Sequence, residues 1–355
     1  MNPPTPTTPA YDALLYMSFG GPEGLEDVMP FLENVLRGKP VPEARKREVA
    51  HHYEAFGGVS PLNAQNREII AALEAELAAN GPKLPVYFGN RNWHPLVTDT
   101  IQTMYKDGVR HFLVFTTSAF SCYSGCRQYR EDIQRACDAV APGQLTFHKI
   151  RVFFNHPDFI AMNVERISDA ARELGITPAQ ATVAFTAHSI PQAMADRCQY
   201  EPQLQEACRL VAEQLGLSNW QLVYQSRSGP PSMPWLEPDI CDHIRELHRG
   251  SKPDNLIILP IGFLSDHMEV LFDLDTEARE LCEELGIRMA RAQTVGNHPR
   301  FAAMVRELIE ERAMNLSTRR TVGSLPAKHD VCPETCCLPG QPPRPVTAGA
   351  TRISP

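Results

Sequence analysis

The chain has 355 residues, 43% hydrophobic and 21% charged, which are globular proportions with room for two domains of ordinary size. A formal net charge of −8 leaves no dominant basic face and argues against nucleic acid as the main partner. Residues 1–10 form a Pro/Thr run with no basic or apolar stretch, unlike a signal peptide, and the longest apolar run, 256–264, is too short to cross a bilayer.

A cytoplasmic protein is expected. Peripheral membrane contact and oligomeric state stay open. In chain order, eight β-rich runs occur at 13–17, 86–88, 112–115, 146–150, 181–185, 222–224, 256–261 and 288–290. Helical patterns lie between them at 63–79, 95–106, 158–173, 202–215, 237–247 and 269–285, and a closing helix spans 299–314. Strands alternating with helices of this length form βαβ units and parallel sheets. The expected fold is α/β, with two doubly wound domains of four parallel strands each. They would span 11–155 and 156–314, between a flexible 1–10 and an aperiodic tail, 315–355.

Ligands of open α/β sheets bind at the carboxyl ends of strands, and polar, aromatic and Gly/Pro residues gather there. The fifth run leads into T-A-H-S-I-P (186–191), so His188 faces a cleft rather than a core. The seventh leads into S-D-H-M-E-V-L-F-D-L-D (265–275), which adds His267, Asp266, Glu269, Asp273 and Asp275. At spacings of three and four, Asp266, Glu269 and Asp273 would share one face of a helix and could form a track for a divalent cation. A solvated acidic face at a helix N-terminus is the plainer alternative. G-G-P-E-G (20–24) has neither dinucleotide-fingerprint spacing nor a Walker lysine, and reads as a tight strand-to-helix turn. Arg37, Lys39, Arg45, Lys46 and Arg47 stand against one nearby acid, Glu43. They make either a solvated helix face or a mouth for a polycarboxylate ligand.

Of ten cysteines, Cys137, Cys208 and Cys282 fall in helical text and read as buried free thiols. Cys332, Cys336 and Cys337 crowd a Pro/Gly-rich tail where no core explains them.

The two cleft motifs, with Y-E-A-F-G-G-V-S-P-L-N (53–63), Y-F-G-N-R-N-W-H-P (87–95) and Q-S-R-S-G-P-P (225–231), together resemble ferrochelatase over residues 11–314. The resemblance implies two flavodoxin-like domains around a porphyrin cleft and insertion of ferrous iron into a free-base porphyrin. It makes His188 and Glu269 the facing iron-site pair. Asp266, His267, Asp273 and Asp275 would lie in the second shell or on the metal or proton path. It places Ser60, Tyr53, Arg91, Tyr123 and Tyr129 in or near segments that contact the macrocycle. G-N-R-N-W and Q-S-R-S-G-P-P are similar to the actinobacterial type, associated with coproporphyrin III, and the basic cluster beginning at Arg37 suits four propionates. Phe19 stands where some such enzymes carry a product-ligating tyrosine, so product ligation here must differ. The resemblance also implies a 2Fe-2S cluster on Cys332, Cys336, Cys337 and a fourth thiolate, Cys126 or Cys122, with structural zinc or no metal as alternatives. A protoporphyrin IX ferrochelatase and a non-catalytic porphyrin or heme carrier remain the competing functions.

Overall fold

Each sheet is built from short strands whose side chains are buried on both faces, as parallel strands covered by helices require. In the computed structural model, which describes residues 11–38, 41–229 and 232–340, the first strand, β1 (Ala13–Ser18), is buried along its whole length. It pairs in parallel with β2 (Val86–Asn90) and β3 (His111–Thr116), and β4 (Thr146–Lys149) pairs with β3. The second sheet has β5 (Thr182–His188) between β6 (Trp220–Gln225) and β7 (Asn255–Leu259), with β8 (Arg288–Arg291) beyond β7. The orders β2-β1-β3-β4 and β6-β5-β7-β8 are the same doubly wound topology. One apolar cluster joins inner faces of both sheets, through Tyr16, Phe115, Phe185 and Ile257, to the helices Leu62–Asn80 and Phe301–Ala313. The expected flexible segment 1–10, Lys39, Pro230, Pro231 and 341–355 lie outside the described residues.

The expected elements are all present, with three corrections. The seventh strand stops at Leu259 rather than residue 261, because Pro260 has no N–H to continue the ladder. The fifth runs on to His188, which is therefore its last residue and not a loop residue beyond it. The span 269–285 is not one α-helix. It is a single turn, Met268–Val270, then a π-helix, Leu271–Ala278, then Arg279–Glu284. Three α-helices outside the expected set, Val28–Val35, Glu43–Ala55 and Gln128–Val140, complete the first half among the described residues. No helix among the described residues is long and apolar enough to cross a membrane.

Candidate active site and a cysteine cavity

The carboxyl ends of β5, β6 and β7 meet, and the catalytic candidates gather there. At the end of β5, the His188 Nδ1 lies in a short hydrogen bond to the Ser189 carbonyl. A carbonyl only accepts, so Nδ1 carries the proton and Nε2 of the neutral ring keeps its lone pair. Nε2 lies 3.6 Å from Glu269 Oε2, and His267 Nδ1 approaches the same oxygen at 3.9 Å. Glu269 is exposed, whereas burial pushes the His267 pKa down from its ordinary value. One exposed carboxylate thus lies between two imidazoles.

The π-helix carries Asp273 one turn further on. Burial raises its pKa to about 7, against the opposing pull of hydrogen bonds from Ser226 Oγ and Gln225 Nε2. Glu277, a residue the sequence reading missed, continues the row, and burial with the neighbouring Asp239 raises its pKa too. Its signal was the repeated spacing of four through 269, 273 and 277. Asp266 precedes the helix instead of sharing its face, and Asp266 and Asp275 both turn to Arg291, at 3.1 and 2.8 Å. The expected single acidic face therefore divides in two: Glu269, Asp273 and Glu277 on one row, and an ion-paired Asp266–Arg291–Asp275 cluster.

On the side of the first sheet, buried amides order the loops. Asn63 Nδ2 donates to the carbonyls of Gly21 and His94, and Asn90 Nδ2 donates to Asn63 Oδ1 and the His94 carbonyl. Gly21 packs so tightly on Ser60 that a Cβ there would sit 2.7 Å from the serine hydroxyl. The glycine turn is thus a close-approach device, and Ser60 is buried beneath it. Arg91 pairs with Asp132 at 2.6 Å, covers Tyr129 at 4.7 Å and lies 5.9 Å from the centre of the Phe19 ring. Tyr129 is itself buried under Arg91, while Tyr123 donates to Glu131 at 3.1 Å. Burial, helped by the charge of Glu269, raises the Tyr53 pKa, which brings Tyr53 into the field of the iron-site candidate. The Glu43–Ala55 helix lays His52 flat on Phe272 of the π-helix, ring centres 3.8 Å apart, so the two halves meet across the cleft. Its cations are largely paired, Lys46 and Arg47 with Glu43 and Arg45 with Glu48, while Arg37 is exposed and bonded to Asn34.

A second locus lies at the tail. A cavity of about 400 Å³ is lined by Cys126, Cys332, Cys336 and Cys337 with Arg127, Arg130 and Lys149. Hydrogen bonds from Cys332 and Cys337 hold the Cys126 thiol well below its usual pKa, with Lys149 and Arg130 adding to the effect. Cys336 and Cys337 sulfurs are 3.6 Å apart. Cys122 instead accepts a hydrogen bond from Gly125 N at 3.1 Å, and burial raises its thiol pKa to about 11. The four thiols suit a soft-metal site, and of the two candidates for the fourth position Cys126 is the one on the cavity. His329 joins them, with Nε2 3.7 Å from Cys336 Sγ. It was missed, although H-x2-C-x3-C is a spacing that binds metals.

A family profile described as Ferrochelatase matches residues 11–313. A protein of Rhodopirellula baltica called ferrochelatase is 57% identical over 345 residues, covering 97% of this chain and 98% of its own length. A Streptomyces coelicolor protein called coproporphyrin III ferrochelatase is 49% identical over 366 residues, covering 96% of each. Among solved structures, SirB from Bacillus subtilis with Fe3+ matches with a TM-score of 0.53 at 14% identity, over 85% of this chain and 96% of its own. At that identity the likeness speaks for a shared chelatase fold.

Proposed function

The chain belongs to the ferrochelatase family and is an enzyme that inserts ferrous iron into a porphyrin; we propose that this porphyrin is coproporphyrin III and that His188 and Glu269 are the reacting pair. The observation that carries the pair is the 3.6 Å separation of His188 Nε2 from Glu269 Oε2. Metallation releases two pyrrole N–H protons for each ferrous ion bound. An imidazole with a free nitrogen accepts a proton near neutral pH, and its Nδ1–H bond to Ser189 holds the ring in the accepting tautomer. Glu269, on the exposed side of the pair, is suited to hold the arriving ion loosely, since a site of one carboxylate and one or two imidazoles must lose it to four porphyrin nitrogens. His267, Asp273 and Glu277 would pass protons or ions along the π-helix. Asp266 and Asp275, ion-paired with Arg291, would brace that helix.

Support for coproporphyrin III comes from the named substrate of the 49% identical Streptomyces protein. Ser60, Tyr53, Arg91 and Tyr123 are the proposed macrocycle contacts, with Arg37 toward the propionates; Tyr129 would act from beneath Arg91. Side-by-side turnover of coproporphyrin III and protoporphyrin IX with ferrous iron, without oxygen, tests the substrate. Preference for protoporphyrin IX would replace it, and a bound porphyrin that stays unmetallated would make the protein a carrier.

We also propose that Cys126, Cys332, Cys336 and Cys337 hold a 2Fe-2S cluster, because four thiols around one cavity meet its ligand requirement. When bound, such a cluster supplies one-electron chemistry. The absence of any transmembrane helix among the described residues is compatible with a cytoplasmic enzyme.

A further inference from the structure

Gln225 is the last residue of β6 and stands in register with His188, the last residue of β5. Its backbone carbonyl accepts from Ser189 N at 2.8 Å, so the main chain ties it to the His188 turn. Its side chain reaches the other way. Nε2 donates to the Glu269 carbonyl at 3.3 Å and to Asp273 Oδ2 at 3.2 Å. Glu269 lies in the single turn that precedes the π-helix, where the hydrogen-bond register changes from α to π. At that change Gln225 adds a side-chain donor to the Glu269 carbonyl. Ser226 follows with φ at +62°, a conformation a serine adopts at a cost, and that backbone aims its hydroxyl at the same Asp273 oxygen.

A purely space-filling role does not account for this residue. Gln225 is 1% exposed, and its Oε1 is buried with no hydrogen-bond partner. An orphaned acceptor costs stability that a leucine of similar volume would avoid, so the two N–H bonds are what the position requires. We propose that Gln225 is the positioning residue that fixes the distance between His188 and Glu269, by joining the end of the β5–β6 pair to the start of the π-helix. The inference rests on the ferrochelatase reading of that pair. Without Gln225, the side-chain ties to the Glu269 carbonyl and to Asp273 are lost, and the first turn of the helix is free to shift relative to His188.

The test compares Gln225→Leu and Gln225→Glu with the parent protein. Leucine removes both donors, and ionised glutamate keeps the volume but removes the donor. Both variants are expected to bind free-base coproporphyrin III, followed by fluorescence, with unchanged affinity. Their kcat should fall by about 10²-fold, as a displacement near 1 Å between reacting groups does. Cobalt(II) added alone should lose the absorption component that Glu269→Gln also removes, which separates this site from the tail thiols. Wild-type kcat and cobalt binding in Gln225→Leu would overturn the proposal. So would a parallel fall in porphyrin affinity and melting temperature in both variants, since that is what a merely structural residue gives. An inactive parent protein would sink the ferrochelatase reading, while the cobalt titration would still decide on Gln225.

Discussion

At the scale of single residues, tautomer and partner decide what each group can do. His188 has its Nδ1 proton committed to Ser189, so only Nε2 is available toward Glu269. His188→Ala is expected to lower turnover by about 10²–10⁴-fold, the usual loss when a general base is removed. Its melting temperature should stay near that of the parent, because the ring is about one-third exposed and carries little packing. Glu269→Gln, nearly isosteric, should fail as well, since an amide neither carries charge nor binds a cation as a carboxylate does. Steady-state kinetics with both substrates saturating check this, and near-normal turnover in either variant would remove the pair from the chemistry. The meeting of His188 and Glu269 at one sheet edge was legible in sequence because one ends a buried strand and the other closely follows one. The partners of Asp266 and Asp275 were not, because Arg291 lies 25 and 16 positions away and charge pairing at that separation depends on how β7 and β8 align.

At the scale of elements, two buried titratable groups oppose each other as pH changes. His156 caps the Pro157–Glu173 helix, its Nδ1 accepting from Asp158 N at 3.3 Å. Burial, reinforced by Arg151, lowers its pKa to about 4. Because Nδ1 is an acceptor, Nε2 holds the proton and lies 3.4 Å from Glu307 Oε2 without hydrogen-bonding to it; Arg320 bridges Glu307 and Asp158, so this cluster is a tie between elements and not a metal site. The unfolded histidine takes up a proton before the folded one does, so its contribution is present above about pH 6.5 and lost as pH falls toward 4. The shift corresponds to roughly 3 kcal/mol. Asp273, raised to about 7, has the opposite sign: its contribution is present at pH 4 and lost as pH rises through 7. Asp273→Asn should therefore melt higher than the parent above pH 7, with the gap closing by pH 4 and a steeper acid decline between. Melting curves from pH 4 to 8 check it, and a gap independent of pH would refute it. The strands were readable because parallel strands buried on both faces are unbroken apolar runs. The π-helix was not, since a change of hydrogen-bond register leaves residue composition unaltered; the spacing of acids misled at Asp266 because the helix starts only at Met268.

At the scale of the whole molecule, the tail lashes the two halves together. Arg151 of the β4–helix connection forms a buried pair with Glu311 and donates to the Arg320 carbonyl. Val322 N donates to the Asn155 carbonyl, Asn155 Nδ2 to the Leu325 carbonyl, and Ser324 N and Oγ to Glu206. Further on, Arg127 holds the carbonyls of Glu334 and Cys336, which brings the tail cysteines to Cys126 in the first half. The expected tail without periodicity is thus ordered through residue 340 by hydrogen bonds and thiols rather than by a core of its own, and sequence showed only the thiols because the other anchors are backbone groups. A metal bound there would contribute its binding free energy directly to closing this strap. Anaerobically purified protein is expected to be red-brown, with the absorption lost in Cys126→Ser, Cys332→Ser, Cys336→Ser or Cys337→Ser and kept in Cys122→Ser. Each bleached variant should melt lower, by about 2 °C for each kcal/mol lost in a chain this large, and should be cut faster by protease within 316–340. Porphyrin metallation should survive bleaching, because His188 and Glu269 are held by β5, β6 and the π-helix rather than by the thiols. Iron-free protein carrying zinc would replace the cluster with a structural zinc. Metal-free protein with the same melting temperature as its cysteine variants would mean that hydrogen bonds alone close the strap.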